Sequence, residues 1–156
     1  MLVLAFDFGV KNIGVAIGEC YTYTARKLKL ISYKKEQTYW EKIHNLLSIW
    51  KPKKIIVGLP LNIEGRRQKT TIRTEIFALK LFQKFQIKVK LHDERYTTIE
   101  AKSILFQTGG KKNLNKSKIH SMSALVILNS WFTKYIQKKK EKKEKKKKNK
   151  IQYLYK

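Results

Sequence analysis

The order of strand-like and helix-like segments is the feature that most restricts the fold of this 156-residue chain. Three apolar or alternating segments with short connections come first, and strands then alternate with amphipathic helices. The predicted strands are Leu2–Phe6, Ile13–Ile17, Thr22–Ile31, Lys53–Leu59 and Ile87–His92. This succession predicts an α/β fold with a mixed five-stranded sheet, an antiparallel meander followed by parallel strands, flanked by helices.

The helices are predicted from apolar residues that recur at helical spacing. The second of them is marked by a stripe of Ile72, Ile76, Leu79 and Phe82. Pro52 stops the first helix, Thr97 or Thr98 caps the third, and Gly109 closes the third. The predicted helices are 39–50, Thr71–Phe85, Thr98–Gln107 and Ile119–Ile136.

We expect one folded domain over residues 1–136 and a lysine-rich tail over residues 137–156. The tail lacks an apolar stripe, and its lysines repel one another. It is therefore predicted to extend the last helix for a turn or two and then to be disordered.

The formal net charge of +25 is shared between the body of the chain and its carboxyl-terminal segment. Residues 134–156 carry twelve lysines and two glutamates, a net +10, which leaves +15 for residues 1–133. A body this basic favours a polyanionic partner such as nucleic acid. Lysine outnumbers arginine 31 to 5, a bias that an AT-rich genome also produces. Charge alone therefore leaves the partner open.

Cysteine content and hydropathy restrict the compartment. The single cysteine, Cys20, excludes an internal disulfide and fits a reducing environment. No apolar run approaches the ~20 residues that a membrane span needs, and Met1–Phe6 is too short for a signal segment. We therefore expect a soluble, cytoplasmic protein without a membrane partner.

The chain has only two aspartates, and both follow predicted strands. Asp7 ends the first strand, and Asp93 with Glu94 follows the last one. Ligands gather at the carboxyl ends of strands in such sheets. Asp7 and Glu94 are therefore candidate ligands of hard divalent ions that hydrolyse a phosphodiester. The spacing also allows a simpler interpretation, with Asp7 as a turn residue and Glu94 as a helix N-terminal charge.

Several residues near these strand ends are candidates for contacts with substrate phosphates. Lys11 lies in the turn after Asp7, and Gly9 and Gly14 would permit close approach of backbone or phosphate. A basic loop follows Pro60, and a helix N-terminus follows Glu94. The candidate substrate-binding residues are Lys11, Asn62, Arg66, Arg67, Arg95 and Thr98.

Four segments in register resemble a known family. They are Asp7–Ala16, Val57–Gly65, Asp93–Thr98 and Ser121–Leu128. Together they closely resemble the YqgF family of bacterial ribonuclease H-like proteins. Its members are described as proposed Holliday junction resolvases and as nucleases that process the 5′ end of the 16S rRNA precursor. The resemblance implies a ribonuclease H-like fold and an active site with Mg²⁺ or Mn²⁺, in which Asp7 and Glu94 are catalytic acids.

His120 is a departure from the family pattern. The family usually has an aspartate just before the Ser-x-x-Ala-Ala-like stretch, and histidine takes that place here. We predict that His120 is a third catalytic residue and metal ligand. Because an imidazole suits Mn²⁺ better than Mg²⁺, a weakened or metal-shifted site is the alternative.

The resemblance favours a nuclease that acts on the 16S rRNA precursor, with the ribosome or its small subunit as a further partner. A Holliday junction resolvase that acts on branched DNA is one alternative, and a non-catalytic ribosome-associated RNA-binding factor is another. A resolvase should be a dimer, but neither a dimer heptad nor a large exposed apolar stripe is predicted. We therefore expect a monomer or weak dimer. The related sugar-kinase and actin proteins need two such domains, so this chain is too short to be one.

Overall fold

The computed structural model describes residues 1–154, and in them one mixed sheet of six strands is flanked by helices. The strands are β1 (Leu2–Phe8), β2 (Asn12–Glu19), β3 (Thr24–Lys27), β4 (Ile31–Ser32), β5 (Lys54–Leu59) and β6 (Lys88–Asp93). The helices are α1 (Glu36–Trp50), α2 (Lys69–Phe85), α3 (Thr97–Gly109), a short 3₁₀ helix (Gly110–Asn113) and α4 (Lys116–Leu154).

The sheet has the strand order β3-β2-β1-β5-β6, and β4 also pairs with β2. β1 is antiparallel to β2 and parallel to β5, which in turn is parallel to β6. The predicted meander followed by parallel strands is thus confirmed. Because β1, β5 and β6 run in the same direction, their carboxyl ends meet at one edge of the sheet.

The predicted third strand is two strands, so the expected count of five was wrong by one. β3 and β4 both pair with β2, with Ala16 opposite Lys27 and Ile13 opposite Ile31. Between these two pairs, β2 has two residues (14 and 15) and the opposite segment has three (28–30), one residue more. Such an extra residue interrupts a ladder as a β-bulge does.

Each face of the sheet is covered by its own layer. Along β1, Leu4 and Phe6 pack toward α1 and α2, whereas Val3 and Ala5 pack toward α4, as the period of two in a strand requires. α3 packs on α4 in a smaller apolar cluster. The sheet is thus fully enclosed at its centre, and polar chemistry is left to its edges.

The apolar stripe predicted for α2 faces solvent. The exposed fractions are 48% for Ile72, 49% for Ile76, 57% for Leu79 and 47% for Phe82. The buried face is instead formed by Thr71, Thr74, Phe77, Ala78 and Leu81. The helical spacing was correct, but the face that packs into the core is the one that carries Phe77, Ala78 and Leu81. The expectation that the chain has no large exposed apolar stripe was therefore wrong.

Helix α4 runs through the lysine-rich segment, where disorder was expected beyond a turn or two. Residues 137–151 are all exposed, so packing does not explain the helix. Lysine and glutamate are good helix formers, and Glu141 and Glu144 each precede a lysine by four residues. The packed part of α4 also supplies the nucleus from which the helix propagates. Residues 155 and 156 of the predicted tail lie outside the described residues, and its separation from the domain stays a prediction.

Among residues 1–154, none of the helices combines the length and the apolar character that crossing a bilayer would demand.

Candidate active site

Asp7 and His120 meet where the end of β1 lies against the beginning of α4. The Nδ1 atom of His120 is 2.8 Å from Oδ2 of Asp7. Since a carboxylate only accepts hydrogen bonds, the imidazole is the donor. This hydrogen bond raises the pKa of His120 above its ordinary value, although burial and Lys116 act against it. The contact joins two residues that are 113 positions apart in the sequence.

Two glycines allow this close approach of α4. A Cβ at Gly9 would lie 2.6 Å from Cε1 of the His120 ring, and a Cβ at Gly14 would collide with the His120 carbonyl oxygen. Gly14 also lies directly opposite Asp7 in the β1–β2 pairing. The prediction that these glycines permit close approach is therefore confirmed for backbone at Gly14, whereas at Gly9 the approaching group of α4 is the His120 side chain.

Glu94 enters the site directly after β6, the strand that lies on the far side of β5 from β1. Its backbone N–H donates to the carbonyl oxygen of Leu59 at 3.2 Å, which extends the β5–β6 pairing past Asp93. The Glu94 carboxylate lies over Gly58, where a Cβ would be 2.6 Å from Oε2. The carbonyl oxygen of Glu94 accepts from the N–H of Thr97 at 2.9 Å and starts α3. The cap residue of α3 is Tyr96, without a side-chain hydrogen bond, so the predicted capping by Thr97 or Thr98 was wrong.

The electrostatics of the site are dominated by paired carboxylates. Burial raises the pKa of Glu94 well above its ordinary value, and the charges of Asp7 and Asp93 raise it further. Asp7 and Glu94 therefore lie close enough for their charges to oppose one another. A bound cation would stabilise such a pair of carboxylates. His120, the residue hydrogen-bonded to Asp7, provides at most one positive charge.

Hard divalent cations fit part of this donor set. Mg²⁺ and Mn²⁺ accept carboxylate oxygens from one or two side chains, with water and substrate phosphate as the other ligands. Asp7 and Glu94 are such a pair. Among residues 1–154, however, no group of three or more His, Cys, Asp or Glu side chains is arranged to hold a metal ion. His120 is hydrogen-bonded to Asp7, and its predicted role as a metal ligand stays a prediction.

Asp93 and Arg95 form one wall beside Glu94. The Arg95 Nε donates to Oδ2 of Asp93 at 2.9 Å, and its backbone N–H donates to Oδ1 at 3.0 Å. Burial alone would raise the pKa of Asp93, but these bonds hold it below its ordinary value. The guanidinium also lies against Gly65, where a Cβ would be 3.1 Å from it. The structure thus places the basic loop after Pro60 next to Arg95.

The other predicted substrate-binding residues differ in how firmly they are held. Asn62 is fixed within its loop, because its Oδ1 accepts from the Arg66 N–H at 2.7 Å. Arg66 pairs with Glu64, and Arg67 pairs with Glu75. Lys11, in the β1–β2 turn, and Thr98, in the first turn of α3, are exposed. Their contacts with a substrate remain predictions.

Sequence reasoning missed two polar groups, of which one supports the site. The Tyr33 hydroxyl donates to the Gly9 carbonyl at 2.7 Å and steadies the turn after Asp7. In the part of the chain that is described, the Ser123 hydroxyl is buried on α4 without a hydrogen-bond partner. No local pattern marks Tyr33, which is 24 residues from Gly9. Ser123 lies within the fourth family-like segment, but its burial depends on how α4 packs.

The strand order, the covering helices and the acidic carboxyl edge define a protein of the ribonuclease H-like class. Solved structures agree with this fold. A Thermus thermophilus RuvC bound to a Holliday junction superposes with a TM-score of 0.56 at 17% identity, over 87% of this chain and 96% of RuvC. The fowlpox virus Holliday junction resolvase superposes with a TM-score of 0.56 at 12% identity, over 86% and 99%.

The family follows from sequence similarity. Residues 1–134 match the model of the RuvX family, described as a Holliday junction resolvase, and the chain belongs to this family. A Buchnera aphidicola protein is 51% identical over 135 residues, which are 86% of this chain and 100% of the relative. An Escherichia coli O157:H7 protein is 51% identical over 130 residues, 83% and 94% of the two chains. Both are named "Putative pre-16S rRNA nuclease". The resemblance to the YqgF family is thereby confirmed.

Proposed function

We propose that this protein is a cytoplasmic, divalent-metal-dependent nuclease that processes the 5′ end of the 16S rRNA precursor. The observation that carries the proposal is the approach of Asp7 and Glu94 at the carboxyl edge of the sheet, where the charge of Asp7 adds to burial in raising the pKa of Glu94. The names of relatives that are 51% identical over most of the chain support the choice of substrate.

The residues of the site divide the work as follows. Asp7 and Glu94 hold Mg²⁺ or Mn²⁺, which supplies water activation and charge stabilisation at the phosphate when bound. The Nδ1–H of His120 donates a hydrogen bond to Asp7 and so fixes the orientation of that carboxylate. Lys11, exposed in the neighbouring turn, is free to meet a substrate phosphate.

Cleavage of an RNA fragment that spans the 5′ end of 16S rRNA tests the proposal directly. The wild-type protein should cut it with Mg²⁺ or Mn²⁺ and not with EDTA. Asp7→Asn should abolish cleavage while RNA affinity is kept or improved, because one negative charge is removed from the site. Glu100→Gln is a matched control, since Glu100 is an exposed acid in the first turn of α3.

Two outcomes would contradict the proposal. If Asp7→Asn cuts as well as the wild type, the carboxylates are not the catalytic centre. If the wild type binds the RNA but never cuts it with either ion, the non-catalytic ribosome-associated factor is the better description.

A Holliday junction resolvase is the second candidate, and the exposed stripe of α2 favours it. Cutting two symmetric strands requires two copies, and a helix face with Ile72, Ile76, Leu79 and Phe82 exposed offers an apolar surface for a second copy. A four-way DNA junction assayed beside the RNA, with sedimentation analysis of the oligomeric state, separates the two candidates. Preferential junction cleavage by a dimer would favour the resolvase.

A further inference from the structure

A second basic site lies on the face of the sheet that α4 covers. It is a groove of about 240 Å³ between α4 and strands β5 and β6, which we call the distal groove; the sheet lines it with Lys54 at the start of β5 and with Lys90 and His92 farther along β6. Its lysines are Lys54, Lys90, Lys134, Lys138, Lys139 and Lys142. From His120, beside Asp7, α4 extends fifteen residues to Tyr135 in this groove, a distance of roughly 22 Å at 1.5 Å per residue.

The charged side chains that line the distal groove include six lysines. Among the described residues, no aspartate or glutamate lines it. The pKa of Lys54 is lowered by burial and then by the charge of Lys88, which indicates that positive charge is crowded here. An anion bound in the groove would relieve this repulsion.

Two aromatic residues hold the lysines in place. Trp131 stacks on Tyr135 with ring centroids 4.9 Å apart. The Lys54 ammonium lies 5.2 Å from the Trp131 ring centroid, and the Lys139 ammonium lies 4.8 Å from that of Tyr135. These cation–π contacts fix two ammonium groups. Since Trp131 is buried and Tyr135 is covered by Lys139, neither ring is free to stack on a base.

We propose that the distal groove binds the sugar-phosphate backbone of RNA, without reading its sequence, at a distance from the cleavage site. The lysines at positions 134, 138 and 142 recur every four residues and form a row along one face of α4, which suits the repeating charge of a nucleic acid. A protein partner would need exposed apolar or aromatic anchors, and the rings here are covered. That the bound RNA is an rRNA precursor rests on the proposed function, whereas the binding itself does not.

Half of the groove's six lysines lie beyond the family match. The match ends at residue 134, and Lys138, Lys139 and Lys142 follow it. The Buchnera relative is covered over its full length by 135 residues of this chain. The distal groove is therefore a property of this chain and its long α4, added to the fold that the family shares.

A charge-matched pair of variants of the full chain tests the proposal. The groove variant carries Lys134→Gln, Lys138→Gln and Lys142→Gln. The control variant carries Lys140→Gln, Lys143→Gln and Lys147→Gln, which lie about half a turn around the same helix and do not line the groove. Both lose three positive charges from α4, and circular dichroism checks that both keep its helix.

Binding is measured by fluorescence anisotropy with a fluorescein-labelled, single-stranded 20-nucleotide RNA in EDTA, so that cleavage plays no part. The groove variant should bind about tenfold more weakly at about 0.1 M salt. The slope of log K against log salt should fall by about 2, because each lost phosphate contact contributes about 0.7. The control variant should bind within about threefold of the wild type.

Equal losses of RNA affinity in both variants, or no loss in either, would overturn the proposal, since α4 would then act only through its total charge or not at all.

A decaglutamate peptide is the second probe. If the groove variant loses peptide binding but keeps RNA binding, the groove is a site for an acidic protein instead. In cleavage assays the groove variant should raise KM more than it lowers kcat. A protein that never cleaves but shows the groove-dependent binding would refute the proposed function and leave this inference standing.

Discussion

Lowering the pH from 7 to 5 is expected to weaken the fold through His92. This residue is only 7% exposed, and its Nε2 lies 2.9 Å from the Ser130 hydroxyl, so that it ties β6 to α4 just before Asp93 and Glu94. Burial lowers its pKa from 6.5 to about 4, with a further decrease from Lys134. The folded protein therefore keeps His92 neutral at a pH where the unfolded chain binds a proton.

The sign and the size of the effect follow from this difference in proton binding. Between pH 6.5 and pH 4 the unfolded state holds more protons than the folded state, so the free energy of unfolding falls as the pH falls. At pH 5 about a tenth of the folded molecules carry the proton on His92, against nearly all unfolded ones. The expected loss between pH 7 and pH 5 is about 2 kcal/mol, and the limit below pH 4 is about 3 kcal/mol.

Urea unfolding of the wild type and of His92→Gln at pH 7 and pH 5 measures this loss. The variant should lose about 2 kcal/mol less than the wild type between the two pH values, because the other titrating groups cancel in the comparison. His44→Gln, at an exposed position on α1, should behave as the wild type does. Parallel losses in the wild type and His92→Gln would refute the reasoning.

Three further predictions concern the site and the tail. His120→Asp should raise cleavage with Mg²⁺ and reduce the advantage of Mn²⁺ over Mg²⁺, and Mg²⁺ should raise the melting temperature of this variant more than that of the wild type. If the cleavage rates of His120→Asp and His120→Ala both change by less than about threefold (roughly 0.6 kcal/mol), the residue has no catalytic role. Gly14→Ala should cost about 1–3 kcal/mol in urea unfolding and lower cleavage, because its Cβ would push the His120 backbone away from β2; wild-type stability would show that α4 is free to shift. Removal of residues 138–156 should flatten the salt dependence of RNA binding and leave the melting temperature within a few degrees, since residues 138–151 are exposed; unfolding at room temperature would show that this segment packs on the core.

The elements that the sequence predicted well depend on local patterns. Apolar runs and alternation located the strands, and the rule for carboxyl ends of strands brought Asp7 and Glu94 to the same edge although 87 positions separate them. The helical spacing of α2 was also correct. Such signals are strong because burial in a sheet or on one face of a helix imposes a period on the sequence.

The rest depended on contacts that no period encodes. Whether Phe77 or Phe82 faces the core is decided by the space between α2 and the sheet. The hydrogen bond of His120 with Asp7 depends on the approach of α4 to Gly14, and the sequence suggested only that both residues lie in one site. The extra residue between β3 and β4 lies in a segment whose alternation of apolar and polar residues continues without a break, so the pattern did not reveal it. The long α4 results from propagation, which composition alone did not predict.

The position of β6 at the border of the sheet limits how this protein can assemble. A border strand presents unpaired backbone groups to which another chain can add, and charged side chains are a common protection against this. Lys88 and Lys90 are exposed on β6. Bringing a second copy of β6 alongside would set these lysines against their own equivalents, at a cost that falls only in high salt. Pairing of two copies through β6 is thus opposed, which favours association through the helical faces.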